Sequence, residues 1–317
     1  MAVFVATFGK LITIFIYILV GFVVARKKIF SEVFTNGISS FLMTVSIPCL
    51  IITSFQVEYT PERLRLGGIA FLASVIIIAV GIGIGYLNAY LLRVPVSDKA
   101  VWVYSTAFPN HVFMGWPVMA AIFGQGAIFY AAFANLAFSA YAYTFGIWIF
   151  QKYGQKGEKK QSLRSVLLTP INVALVIAMI MFVTGLRLPA SIEGALDGFG
   201  SITTPLAMFY VGTILAANRL REVFADRRVY MMSFLRLILV PLLVLFLARP
   251  FVSDPISYGT LVIGNAMPVA AYCAIYAGAY RNNVQLASRF VSVTSILCLI
   301  TIPFFAVLLE LIDCFSA

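Results

Sequence analysis

Phe108-Pro109-Asn110-His111-Val112-Phe113-Met114-Gly115-Trp116-Pro117 sets two prolines, a glycine, an amide and the chain's single histidine into an otherwise apolar run. A proline within a helix removes one backbone hydrogen bond and collides with the preceding turn. In lipid, the freed carbonyls must then be satisfied by protein or by water lining a cavity. A counterpart follows later, Gly264-Asn265-Ala266-Met267-Pro268, with Tyr272 just beyond. The plain alternative is that the prolines only kink these helices and that Asn110 and Asn265 join neighbours by amide hydrogen bonds. Paired breaks in corresponding places favour a binding site instead, because broken helices aim half-helix N-termini at anionic groups near the membrane midplane.

The rest of the chain fits that setting. Of 317 residues, 62% are hydrophobic and 11% charged, with mean hydropathy +1.00, too little charge to cover a soluble surface. Division at charges, Pro and Gly predicts spans over 5–25, 36–55, 67–92, 100–123, 127–151, 166–186, 200–217, 229–248, 257–279 and 286–311. Lys10 is the first basic residue and no small-residue cleavage site precedes Arg26, so the first apolar run reads as a spanning helix rather than a signal peptide.

The net charge of +10 would suggest nucleic acid for a soluble chain, but these bases sit in short loops between apolar segments. With the N-terminus outside, the inner loops take Arg26, Lys27, Lys28, Arg93, Lys99, Lys152, Lys156, Lys159, Lys160, Arg164, Arg219, Arg221, Arg227, Arg228, Arg281 and Arg289. The outer loops take only Arg63, Arg65, Arg187 and Arg249. That asymmetry sets ten spans in the inner membrane, with both termini on the non-cytosolic side and the bilayer, not nucleic acid, as partner.

The most polar loop, 151–165, divides the single transmembrane domain into halves 1–151 and 165–317. Five spans per half reverse the orientation, so related halves would form inverted repeats. Pro48 in Thr44-Val45-Ser46-Ile47-Pro48 pairs with Pro205 in Ser201-Ile202-Thr203-Thr204-Pro205, 157 residues apart; Pro109 and Pro268 are 159 apart. The expected fold is therefore an all-α membrane protein of ten transmembrane helices in two inverted five-helix repeats, with helices 4 and 9 broken and crossing.

Candidate substrate-binding residues are Pro109, Asn110, His111 and Pro117 in the fourth span, and Asn265, Pro268 and Tyr272 in the ninth. Pro48, Pro205 and Asn135 complete the set, with Ser292, Thr294 and Ser295 as further polar groups. His111 reads as a proton relay, as a pH-sensitive anion contact, or as a neutral histidine bonded to a freed carbonyl, the last being favoured. Arg236 reads as a snorkelled head group or a helix-end contact rather than a direct anion contact. No Asp or Glu falls in the middle of a predicted span, so a carboxylate relay has no carrier and anion recognition fits better than cation recognition.

Enzymatic readings find little support. Gly81-Ile82-Gly83-Ile84-Gly85 lacks the strand-turn-helix context of a dinucleotide loop and reads as close helix packing. There is no GxxxxGK[ST], and one histidine without buried carboxylates suits no intramembrane protease. Cys49, Cys273, Cys298 and Cys314 show no CxxC spacing, so neither disulfides nor zinc are expected, and no cofactor is implied.

Several segments in this order resemble the auxin efflux carrier family, which includes plant PIN-type exporters and bacterial permeases for malate and malonate. They are Gly21 to Phe30 leading to Val45-Ser46-Ile47-Pro48, then Pro109 to Pro117, Leu235-Arg236-Leu237-Ile238-Leu239-Val240-Pro241, Ala266-Met267-Pro268 and Val291-Ser292-Val293-Thr294-Ser295. The resemblance implies inverted repeats crossing at spans four and nine, elevator-type transport of a small organic anion such as a dicarboxylate or an auxin-like acid, and homodimers built on scaffold helices. His111 departs from the family, where a small or hydroxyl residue is commoner, and the long cytosolic loop of the plant exporters is absent. A membrane sensor that binds such a solute without moving it is the alternative; the loops are too short for a separate effector domain.

Overall fold

A computed structural model describes residues 2–154, 168–217, 224 and 226–312, with side chains at 2–8, 10, 11, 32, 36 and 217 left aside. The Lys10 side chain, Lys156, Lys159, Lys160, Arg164, Arg219, Arg221 and Cys314 lie outside the described residues. Regular structure among the described residues is helical, apart from one isolated bridge between Pro109 and Val269. The helices are α1 (Ala2–Arg26), α2 (Glu32–Phe41), α3 (Ile47–Ser54), α4 (Pro61–Leu91), α5 (Lys99–Ala107), α6 (Trp116–Phe123), α7 (Gly126–Tyr141) and α8 (Ile147–Tyr153). They continue as α9 (Pro170–Thr184), α10 (Ala190–Ser201), α11 (Thr203–Ala217), α12 (Arg227–Phe234), α13 (Val240–Ala248), α14 (Pro255–Asn265), α15 (Tyr272–Ala279) and α16 (Val284–Leu311).

Among the described residues, six helical stretches are long and apolar enough to cross a membrane: Val33–Ser54, Pro61–Leu91, Gly126–Tyr153, Ala190–Ala216, Arg227–Ala248 and Val284–Leu311. Ile12–Arg26, His111–Phe123 and Pro170–Thr184 are shorter apolar helices. The helix expected from residue 200 starts at Ala190, because Ser191, Glu193 and Asp197 lower the apolarity of α10 without breaking it.

Local chemistry places the helix starts. Thr60, Thr169 and Asp254 each accept a backbone N–H three residues on, and each precedes a proline whose missing donor costs nothing in a first turn. Interior prolines act differently. The π-helical turns Leu42–Ser46, His111–Gly115 and Leu235–Leu239 end two residues before Pro48, Pro117 and Pro241. Widening the helix there relieves the clash of the ring with the carbonyl four residues back. The helix therefore runs on through Pro48 and Pro117, and Pro205 sits in the first turn of α11. The chain leaves helical geometry in these two spans only around Phe108–Asn110 and Ala266–Ala271.

The helices sort into two packed groups. In one, α1 lies along α11 and α3 packs on α9 and α10. A Cβ on Gly21 would run into the Phe209 carbonyl and one on Gly212 into the Ile18 carbonyl, so α1 and α11 touch backbone to backbone. In the other, α4 packs on α5 and α7, and α15 on α16. Gly81 and Gly85 meet the backbone of α5 at Ala107 and Val103, as expected of that glycine run, whereas a Cβ on Gly83 would face open space. The buried apolar side chains form two clusters that divide at the helix breaks: α5 lies in one and α6 in the other, α15 in the first and α14 in the second.

At the α5 end, charges tie three helices together. Arg228 reaches Asp98 at 2.8 Å and Asp226 at 2.7 Å, and Arg289 reaches Asp226 at 3.2 Å. Asn283 donates to the other Asp98 oxygen at 2.9 Å. Hydrogen bonds from Arg228, with a further one from Arg289, hold the Asp226 carboxyl down at about 2, from its ordinary 3.8. A folded-state value below the unfolded one stabilises at pH above about 4, and that contribution fades as acid protonates the folded carboxylate. In thermal melts of purified protein, the advantage of wild type over Asp226→Asn is expected in full above pH 4 and to shrink toward pH 2; a constant difference across that range would contradict the network.

Candidate functional site

The two breaks meet. The Asn110 N–H donates to the Pro268 carbonyl at 2.7 Å, and the Ala270 N–H returns a bond to the Phe108 carbonyl at 3.1 Å. This is a single antiparallel rung between chains running in opposite directions through the two apolar clusters. Thr294 of α16 accepts the Val269 N–H at 3.1 Å through its hydroxyl, which itself donates to the Phe290 carbonyl at 2.6 Å.

Three further carbonyls go to Arg236. Its Nη1 donates to Thr106 O at 2.9 Å, Nη2 to Asn265 O at 2.5 Å and Nε to Met267 O at 3.2 Å. The side chain is 0% exposed, so the snorkelling reading of this residue is overturned. One planar guanidinium closes the C-terminal ends of both α5 and α14, where helix dipoles concentrate negative charge. No ion pair found among the described residues includes Arg236.

Beyond the crossing, the second half-helices begin at His111 and at Tyr272, and their first turns open on two neighbouring cavities. The first is lined by Pro109, Asn110, His111, Asn135 and Tyr272, with Ser139, Tyr143, Thr169 and Asn172 among its other polar walls. The second, about 140 Å3, lies between Asn110, Phe113 and Tyr272 on one side and Tyr210, Val211 and Ile214 on the other. Asn110 and Tyr272 border both, and no carboxylate lines either. Each cavity takes walls from both helix groups.

Five of the ten sequence-derived site residues thus come together: Pro109, Asn110, His111, Asn135 and Tyr272. Pro268 lies in the crossing and contributes its carbonyl to Asn110. Asn265 is buried behind the crossing, its amide donating to Leu261 O at 2.9 Å and its main-chain carbonyl engaged by Arg236. Pro117 supports the turn after His111, while Pro48 sits in the first turn of α3 and Pro205 in that of α11; none of the three lines the cavities. Two residues before each of those last prolines, the Ser46 and Thr203 hydroxyls join at 2.6 Å, and Ser46 donates to Phe199 O at 2.9 Å. The Trp116 indole N–H donates to His111 Nδ1 at 3.2 Å, so that nitrogen is an unprotonated acceptor and its partner is an indole rather than a freed carbonyl. Ser292, Thr294 and Ser295 are buried away from the cavities. Sequence reading missed Tyr143, Ser139, Thr169 and Asn172; a Thr-Pro helix start with an amide in its first turn is a signal in the sequence that marks the last two.

An apolar helical bundle with two broken helices crossing beside a polar cavity is the build of a membrane transporter. The chain belongs to the membrane transport protein family, that of the auxin efflux carriers, whose profile matches residues 6–306. It is similar to an uncharacterized transporter of Methanothermobacter thermautotrophicus, 25% identical over 97% of this chain and 100% of that one. It is also similar to the uncharacterized transporter YfdV of Escherichia coli K12, 22% identical over 93% of this chain and 95% of the other. The uncharacterized transporter MJ1031 of Methanocaldococcus jannaschii is 21% identical over 91% and 94%.

Thr294→Val keeps the shape but strands the buried Val269 N–H, a loss of about 1–3 kcal/mol. The variant should melt below wild type, whereas Thr294→Ser, which keeps the hydroxyl, should lie between them; equal melting of all three would show that the hydroxyl does not hold the crossing.

Proposed function

We propose that this transporter is a secondary carrier of a small organic anion, a dicarboxylate or an auxin-like acid, and that the anion binds at Asn110. The observation that carries the reading is the surroundings of Asn110. Its side chain borders both cavities at the start of a half-helix, with a second half-helix start at Tyr272 opposite and a buried arginine behind the crossing. Helix N-termini, an unpaired buried cation and neutral amide and hydroxyl donors all favour an anion, and no carboxylate in the lining opposes one.

Ten spans in inverted repeats 1–151 and 165–317 make sense of the antiparallel crossing. They also account for the Ser46–Thr203 contact, whose 157-residue separation equals that of Pro48 and Pro205. The charge distribution favours termini on the non-cytosolic side. Cavities bounded by both helix groups suit an elevator, in which the α4–α8 and α12–α16 group carries the anion past α1–α3 and α9–α11.

Reconstituted protein is expected to exchange radiolabelled malonate, succinate or indole acetate in counterflow across proteoliposomes. Asn110→Ala should lower the rate at least about tenfold, the effect of one hydrogen bond to a charged group at about 1.5–3 kcal/mol, with melting unchanged. Wild-type flux in that variant would remove Asn110 from the site, and saturable binding without counterflow would move the protein to the sensor class.

A further inference from the structure

Three carbonyl oxygens, from Thr106, Asn265 and Met267, converge on the guanidinium of Arg236 in the buried centre of the crossing. In carriers with broken helices, the C-terminal ends of half-helices and the unwound carbonyls beside them are where a coupling cation sits. Here two of the three carbonyls, Thr106 and Asn265, belong to the last turns of α5 and α14 and the third to the unwound segment after α14. The place a Na⁺ ion would take, among carbonyl oxygens at the negative ends of two helix dipoles, is filled by a side chain of the protein.

We infer that Arg236 is a tethered cation that replaces a mobile coupling ion at the crossing, so that the carrier works without Na⁺ or K⁺. The chain supports this in three ways. The guanidinium is always protonated and reaches the three carbonyls from three separate nitrogens, Nε, Nη1 and Nη2, whereas an ammonium would have to serve all three from one. The π-helical turn Leu235–Leu239 offsets Arg236 from regular helical spacing immediately before Pro241, presenting it to the crossing rather than to lipid. And Arg236 lies on α12–α13, within the group of helices that carries both breaks, so its charge stays with the site wherever that group moves. A fixed charge that never dissociates cannot convert a Na⁺ gradient into anion accumulation. What remains is exchange, uniport or coupling elsewhere.

The inference rests on the carrier reading, and its test has an arm that does not. Purified wild-type protein should melt at the same temperature in NaCl, KCl and choline chloride at equal ionic strength. Arg236→Ala should melt lower and be restored in part by millimolar guanidinium chloride, which leaves wild type unaffected and enters the vacated carbonyl cage; Arg236→Lys should fall between. In proteoliposomes, wild-type counterflow of labelled malonate should be indifferent to replacing Na⁺ by choline on either side. Specific stabilisation of wild type by Na⁺ or K⁺, a malonate flux driven by an inward Na⁺ gradient, or an Arg236→Ala variant that melts like wild type would each overturn the proposal. If Arg236→Ala does not fold, the wild-type melts still decide it. Should no anion be carried at all, the flux arm fails while the melts keep their meaning, so the two readings fail separately.

Discussion

Two interrupted helices in a membrane interior leave backbone carbonyls and amides with no helical partner, and no water is at hand to take them. The fold meets that constraint by making the interruptions satisfy each other. Asn110 and Ala270 donate across the crossing, Thr294 takes Val269, and Arg236 takes three carbonyls from two different half-helices. Each partner is drawn from a different part of the chain, so the crossing exists only once α5, α14, α12–α13 and α16 are assembled. The α1–α11 contact and the charge network at Asp98, Asp226 and Arg228 belong to the surrounding frame.

Function follows from the same arrangement. Because the carbonyl ends of the half-helices are closed by Arg236, the electropositive starts of the following halves are left facing the cavities. The polarity of the cavity walls thus begins with backbone direction, and Asn110, Asn135 and Tyr272 add neutral amide and hydroxyl groups to it. The cavities take walls from α9 and α11 as well as from α7 and α15, so a solute beside Asn110 would border helices of both groups.

Much of this was legible in the sequence, and for a physical reason. Apolar runs of membrane length and flanking bases are local signals, and most long helices overlap the runs they mark, although the helix expected from residue 200 begins at Ala190. The Pro109 and Pro268 breaks were legible too, because proline disrupts a helix whatever packs around it. Pro48 and Pro117 were less so: a proline can be absorbed by one widened turn, and whether it is absorbed depends on neighbours remote in sequence. The role of Arg236 was hidden for the same reason. Its partners lie 130, 29 and 31 residues away, and nothing within α12 or α13 distinguishes a snorkelling arginine from one that closes two helix ends. Asn265 was picked out for its amide, yet the crossing uses its carbonyl, a group every residue possesses and no sequence pattern marks.

Amide hydrogen exchange of the protein in lipid nanodiscs tests the central claim most directly. Asn110 and Ala270 lie in non-helical backbone beside a cavity, where unbonded amides would exchange as fast as those of the exposed loop at Glu58–Tyr59. The account predicts that both are protected as strongly as the helical amides of α5 and α14, since each donates across the crossing. Exchange of either at the loop rate would mean that the two breaks do not hold one another, and the site built on them would fall with that result.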